Sequence, residues 1–116
     1  MSRLEKHTLA WVIHSTSVCA AMVRQAEWYL AHGLIDGPKV SALNEELGTR
    51  RAVLAGLTAH GEAWEPDTVE LAVWRHYILK HATLQQAGMS QAAFLAEAAR
   101  LRQERDRRLV GMRRLK

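Results

Sequence analysis

The chain has 116 residues, a net charge of +4 and a single cysteine. At this length we expect one domain that buries roughly two-thirds of its unfolded surface. Its 48% hydrophobic and 24% charged residues are typical of a globular protein and exclude extended disorder. One cysteine cannot form an internal disulfide, and residues 2–6 lead into an amphipathic segment without a secretory cleavage pattern. We therefore expect a cytoplasmic protein.

The uncharged run from His7 to Val23 is the centre of a predicted first helix. Before it, Ser2-Arg3-Leu4-Glu5 has the form of a capping box, in which a hydroxyl and a carboxylate satisfy the first free N–H groups. After it, Gly33 suits the left-handed position that follows a helix C-terminus. The pattern predicts a helix over residues 2–32, which would exceed the other helices by roughly 10–15 Å.

The apolar residues of this helix follow two neighbouring lines instead of one. The first comprises Leu9, Val12, Cys19, Val23, Ala26 and Leu30, and the second comprises Leu4, Trp11, Val18, Met22 and Tyr29. A helix that is apolar on two adjacent lines is normally buried against more than one partner, so we interpret it as a central core helix or a dimer seam. A membrane span is excluded, because the run is at the lower limit of length and contains several polar residues.

Three further helices are predicted at residues 38–60, 67–87 and 90–110. Pro38 marks the first turn of the second helix, where a missing N–H costs nothing. Gly48 either weakens this helix or ends it, and the unbroken apolar phase from Val40 to Trp64 favours a single helix. Asp67-Thr68-Val69-Glu70 repeats the capping box, and Ser90 caps the last helix after Gly88. Because the connections are short, we predict an all-α, four-helix antiparallel bundle.

The turn before the last helix resembles a known junction. The run Leu84-Gln85-Gln86-Ala87-Gly88-Met89-Ser90-Gln91-Ala92-Ala93-Phe94-Leu95-Ala96 is similar to the point where the first two helices meet in phage-repressor-type helix-turn-helix domains. That family then needs a second turn and a recognition helix, whereas Glu97 to Arg108 continues here as one helix. The part that reads bases in that family is therefore missing, and no functional residue is carried over.

The C-terminal end carries the positive charge of the chain. From Arg100 onwards there are eight Arg or Lys residues and two acids, a net of +6, while residues 1–99 hold eight bases and ten acids, a net of −2. Residues 102–108 contain no apolar side chain, so we expect the body to comprise residues 1–101 and residues 102–116 to project from it as a basic extension of the last helix. We expect Leu109, Val110, Met112 and Leu115, which follow, to lack a partner within the chain.

No pattern in the sequence supports catalysis or a bound metal. Cys19 lies mid-helix among apolar residues, where burial raises the pKa of a thiol and makes it inert. His7 and His14 are two helical turns apart, too far to share a zinc ion, and the other histidines have no ligand spacing. Gly-rich phosphate loops and nucleophile elbows are missing. We therefore expect a non-enzymatic protein without cofactor or metal.

Two functions remain open. The first is a nucleic-acid-binding or regulatory module, because guanidinium groups suit phosphates. The second is a protein-interaction module, such as a small phage- or plasmid-encoded inhibitor that docks on a host complex. The candidate binding residues, shared by both hypotheses, are Arg100, Arg102, Arg105, Arg107, Arg108, Leu109, Met112, Arg113 and Arg114. The partner would be nucleic acid, a protein or a nucleoprotein complex, and we expect a homodimer that does not bind membranes.

Overall fold

A computed structural model describes the backbone of residues 5–114 and the side chains of residues 5–112. The protein is all-helical, and the described residues contain no strand. The helices are α1 (Lys6–Ala31), α2 (Gly37–His60), α3 (Val69–Gln86) and α4 (Gln91–Arg114), with a short 3₁₀ turn at Gly61–Ala63 after α2. Over this part of the chain, no helix combines the length and the apolar character needed to cross a bilayer.

The local signals for helix ends account for most of the boundaries. Gly33 has a φ of 70° after the end of α1, and Pro38 lies in the first turn of α2. The hydroxyl of Ser90 accepts a hydrogen bond from the N–H of Ala93 at 3.3 Å, which confirms it as a cap of α4. The predicted cap of α3 is wrong by one residue, because Thr68 and not Asp67 accepts from the first turn, at 3.1 Å from the nitrogen of Leu71.

The lengths of α1 and α2 differ from expectation in two ways. Helix α2 continues through Gly48, which confirms the prediction of a single helix. Helix α1 has 26 described residues and α2 and α4 have 24 each, so α1 exceeds them by only about 3 Å at 1.5 Å per residue. The predicted excess of 10–15 Å is therefore wrong for α2 and α4, but it holds for α3, which has 18 residues and is about 12 Å shorter than α1. The predicted cap at Ser2 lies outside the described residues.

The main core draws buried residues from all four helices. Val12 of α1, Val53 and Leu57 of α2 and Ile78 of α3 are almost fully buried in it. Trp64, which follows the 3₁₀ turn, packs against this core, as its apolar phase predicts. Its indole lies directly against Gly56 of α2, where any Cβ would overlap the ring. A glycine inside α2 therefore allows Trp64 to cover the core.

A smaller core joins the middle of α1 to the first half of α2. Cys19 and Val23 of α1 are buried here with Leu47 of α2, and Leu43 packs at the edge. Helix α4 packs along α3, and α3 also contacts α1 and α2. Bundle packing is therefore consistent with these contacts, while the antiparallel direction of the helices stays a prediction.

Substitution by alanine should have opposite effects on stability at the two mid-helix glycines of α2, Gly48 and Gly56. Gly48→Ala should raise the free energy of unfolding by about 0.5–1 kcal/mol, because nothing lies within 4 Å of the added Cβ and alanine has the higher helix propensity. Gly56→Ala should lower it by about 1–3 kcal/mol, because Trp64 would have to move. Urea unfolding followed by circular dichroism measures both. Equal effects at the two positions would contradict the packing of Trp64 on α2.

Candidate functional site

The inner face of α4 packs on the body over most of its length. Ala98, Leu101 and Leu109 are buried, and Met112 packs against the main core. These positions recur at intervals that place them on one side of a helix. The expectation that Leu109 and Met112 have no partner within the chain is therefore wrong. Leu109 is a core residue, and Met112 is partly buried against the core.

Arg105 occupies the same inner face, between Leu101 and Leu109. Its guanidinium carbon lies 4.6 Å from the ring centroids of both Trp74 and Tyr77, and only 11% of its side chain is exposed. A guanidinium at this distance from an aromatic ring is attracted by the electron density of the ring face. Because the rings belong to α3, Arg105 ties the charged segment of α4 to the body. Projection of the helix stays a prediction only for the residues after Met112.

Glu46 of α2 connects Arg105 to two other buried groups. Its carboxylate lies 3.7 Å from the guanidinium of Arg105 and 4.0 Å from that of Arg50, which contacts the same pair of aromatic rings from further away. The thiol of Cys19 donates to the same carboxylate at 3.7 Å. Burial, and then the charge of Glu46, raise the pKa of the Cys19 thiol. Cys19 is therefore held in its protonated form, as expected for an unreactive cysteine.

A cleft of about 280 Å³ opens beside this network, between α2, α3 and α4. Its charged groups are Glu45, Glu46, Glu70 and Arg105, and Trp74 supplies an aromatic wall. Two of the four charged groups, Glu46 and Arg105, are already paired with each other. The cleft therefore presents a mildly acidic surface, and it is separate from the exposed arginines of α4.

Two of the four other arginines of α4 with described side chains, Arg100 and Arg108, are engaged by carboxylates of the same helix. Arg100 lies 2.9 Å from Glu97 and 3.9 Å from Glu104, and Arg108 lies 3.2 Å from Glu104. Such exposed pairs one turn apart stabilise a helix only by a few tenths of a kcal/mol. They nevertheless halve the positive charge that this face presents to an anionic partner.

Arg102 and Arg107 are exposed, and no ion pair connects either of them to another residue with a described side chain. Arg107 also lies seven residues after Arg100, so the two residues lie on one side of the helix, about 10.5 Å apart along its axis. Position 114 continues this spacing. The side chains of Arg113 and Arg114, also predicted as site residues, lie outside the described ones.

The histidines do not form a metal site in the described part of the chain, where no group of three potential ligands occurs. His81 of α3 is half-buried between Tyr77 and Phe94, with ring centroids 5.9 and 5.7 Å away. Burial, followed by the charge of Arg50, lowers the pKa of His81. A neutral His81 therefore belongs to the apolar contact between α3 and α4.

Comparison with models of protein families, with curated proteins and with solved structures finds no match to this chain. The site is therefore interpreted from its own geometry.

Arg105 should contribute to folding and not only to surface charge. We expect Arg105→Ala to lower the free energy of unfolding by about 2 kcal/mol, because it removes the aromatic contacts and one partner of Glu46. The exposed Arg107→Ala should change it by less than about 0.5 kcal/mol. Arg105→Met retains much of the packing and so separates the charge from the apolar contact. Chemical unfolding of the three variants measures this, and equal stabilities would contradict a structural role for Arg105.

Proposed function

We propose that the protein is a non-enzymatic nucleic-acid-binding or regulatory module that contacts phosphates through the exposed sides of α4. The observation that carries this proposal is the exposure of Arg102 and Arg107, which lie about 140° apart around the helix and have no carboxylate partner among the described side chains. Arg100 and Arg108 flank them and can exchange an exposed carboxylate for a phosphate at little cost. The contribution of the inner residues Arg105, Leu109 and Met112 is indirect, because they pack α4 against the body.

The surrounding charge supports an electrostatic role. The positive charge of the chain belongs to residues 100–116, whereas residues 1–99 are mildly acidic. An anionic polymer would therefore be attracted to α4 and repelled by the rest of the surface. Bidentate contacts with phosphate favour arginine, which supplies seven of the eight bases in this segment. Without an element that reaches base edges, we expect little sequence preference.

The proposal also takes the four helices to be antiparallel neighbours. In support of this, Cys19 of α1 contacts Glu46 of α2, and Val12, nearer the start of α1, shares a core with Leu57 near the end of α2. Likewise His81, near the end of α3, contacts Phe94 at the start of α4. In such an arrangement the outer face of α4 faces away from α3 and stays accessible to a long polymer.

Binding to nucleic acid should depend on salt and on the two exposed arginines. With about four phosphates engaged, the logarithm of affinity should fall with the logarithm of salt concentration at a slope of roughly −4. Arg102→Gln combined with Arg107→Gln should reduce this slope by about two. The matched control is Arg24→Gln combined with Arg51→Gln, which removes the same charge from exposed positions of α1 and α2. Fluorescence anisotropy with a labelled 20-base-pair DNA and a 20-nucleotide RNA measures all three proteins.

Two results would contradict this proposal. Binding that does not respond to salt would exclude phosphate contacts as its source. Equal weakening by the α4 pair and by the control pair would show that net charge alone matters and that α4 has no special part in binding.

The second candidate is the protein-interaction module, and one observation favours it. Leu95 and Val110 are 57% and 45% exposed on the same flank of α4, with Arg102 between them. This surface combines apolar groups with a guanidinium, which is the composition of many binding hot spots. Its exposed side chains replace Leu109 and Met112 as the predicted anchors, since Leu109 is buried in the core and Met112 is partly buried against it. A small inhibitor that docks on a host complex would use a surface of this kind.

Leu95→Asp combined with Val110→Asp should therefore weaken capture of a protein partner at least about tenfold while the fold is retained. Ile13→Asp combined with Leu34→Asp is the control, because it adds the same charges to exposed apolar positions away from α4. The measurement is a pull-down from host lysate, with and without nuclease. Point variants are required, since a chain ending at residue 99 would lose Leu101 and Leu109 from its core.

The nuclease distinguishes the two functions. Recovery that disappears on nuclease treatment and depends on Arg102 and Arg107 supports nucleic-acid binding. A discrete protein that resists nuclease and is lost with the Leu95 and Val110 substitutions supports the second candidate. Recovery unchanged in both variants would contradict any binding role for α4.

A further inference from the structure

Helix α1 has an apolar stripe that is exposed in its middle, while its first ring, Trp11, also packs against the main core. Val18 and Met22 are 44% and 48% exposed, and the stripe continues to the partly buried rings of Trp11 and Tyr29 at its two ends. The spacing is seven residues from Trp11 to Val18, four to Met22 and seven to Tyr29. Such spacing keeps all four side chains on one side of a helix over about 27 Å.

The polar groups beside this stripe are neutral. His14 lies edge-on to Trp11 with ring centroids 5.6 Å apart, and the amide of Gln25 donates to the hydroxyl of Tyr29 at 3.2 Å. Ser15, which follows Trp11 by one helical turn, is partly buried, and its hydroxyl donates to the amide oxygen of Gln85 of α3 at 3.5 Å. Between Lys6 and Arg24 the helix has no formal charge at all. The rest of the protein, by contrast, carries charged side chains on every helix.

This absence of charge favours a second copy of the chain as the occupant. Each copy has a net charge of +4, so two copies repel one another at most orientations. A contact about a two-fold axis also repeats every facing pair of residues, so a charge without an opposite partner at the interface is penalised twice. The stripe on α1 avoids both costs, because it contains no acidic or basic side chain.

The order of residues along the stripe is self-complementary in one arrangement. When two α1 helices cross antiparallel about a two-fold axis midway between positions 18 and 22, residue i of one helix faces residue 40 − i of the other. Trp11 then meets Tyr29 of the second copy, and Val18 meets Met22. Ser15 likewise meets Gln25. Each aromatic, aliphatic or polar side chain then faces a side chain of the same class. Large side chains alternate with smaller ones, as helix packing requires.

We propose that the stripe of Trp11, Val18, Met22 and Tyr29 is a homodimer interface in which two α1 helices pair antiparallel about a two-fold axis. The interface lies on α1, and the proposed binding surface lies on α4, so the inference is independent of the proposed function. Burial of Val18 and Met22 in both copies supplies the main driving force, since the apolar surface leaves water without desolvating a charge.

Sedimentation equilibrium of the full chain tests this interface. The wild-type mass should rise from 13.1 kDa towards twice that value between roughly 10 and 500 μM protein. Val18→Glu combined with Met22→Glu should weaken dimerisation by at least about a hundredfold, because four carboxylates would meet at the axis. Both positions are exposed within the chain, so circular dichroism of the variant should match the wild type. Ile13→Glu is the matched control, since Ile13 is equally exposed, at 47%, on another side of α1.

A charge-complementary pair tests the antiparallel register. In Val18→Glu combined with Met22→Lys, each new carboxylate would face a new ammonium of the second copy, so this variant should dimerise at least about tenfold more tightly than the double-Glu variant. A wild-type chain that stays at 13.1 kDa would overturn the proposal. So would a dimer that survives the double-Glu substitution, or one that Ile13→Glu disrupts equally. If the variant with Val18→Glu and Met22→Lys dimerises no more tightly than the double-Glu variant, the antiparallel register is wrong.

Discussion

The structure depends on how one arginine is accommodated inside it. Arg105 lies against Trp74 and Tyr77 of α3, donates to the neighbouring carboxylate of Asp106 at 3.0 Å, and has the carboxylate of Glu46 of α2 at 3.7 Å. A guanidinium tolerates this position because its flat faces are weakly hydrated and stack on aromatic rings while its edge donates to a carboxylate. The contact joins three helices. It also brings Leu109, one turn later, into the main core and so determines how much of α4 belongs to the body.

The arginines of α4 have different roles, because the packing of this helix on the body buries Arg105 and leaves the others with described side chains at the surface. Arg105 is internal, Arg100 and Arg108 are held by carboxylates one turn away, and Arg102 and Arg107 extend freely into solvent. A charge count along the sequence treats these five residues as equivalent. On the folded helix only some of them present charge to a partner, because pairing within a helix follows the spacing of three and four residues. A phosphate-binding role therefore depends on a smaller set of side chains than the net charge of +6 suggests.

Helices α1 and α4 leave two distinct surfaces open. The exposed face of α1 is apolar and uncharged between Lys6 and Arg24, whereas that of α4 is rich in arginine with isolated apolar groups. An uncharged face favours contact with an identical surface, and a positively charged face opposes it. One chain can therefore associate with itself through one helix and bind an anionic or mixed partner through another, without competition between the two.

The sequence by itself determined the local structure, because helix ends depend on residues close in the chain. Gly33, Pro38 and Ser90 mark their boundaries through backbone conformation and capping alone, and apolar periodicity identified the helices between them. The burial of Arg105 was decided only by the tertiary structure. The sequence shows that Arg105 lies four residues from both Leu101 and Leu109. The side chain of an arginine is nevertheless expected to be exposed to solvent unless its partners in the fold are known. Those partners, Glu46 and the rings of α3, are distant in sequence and become its neighbours only when the helices pack.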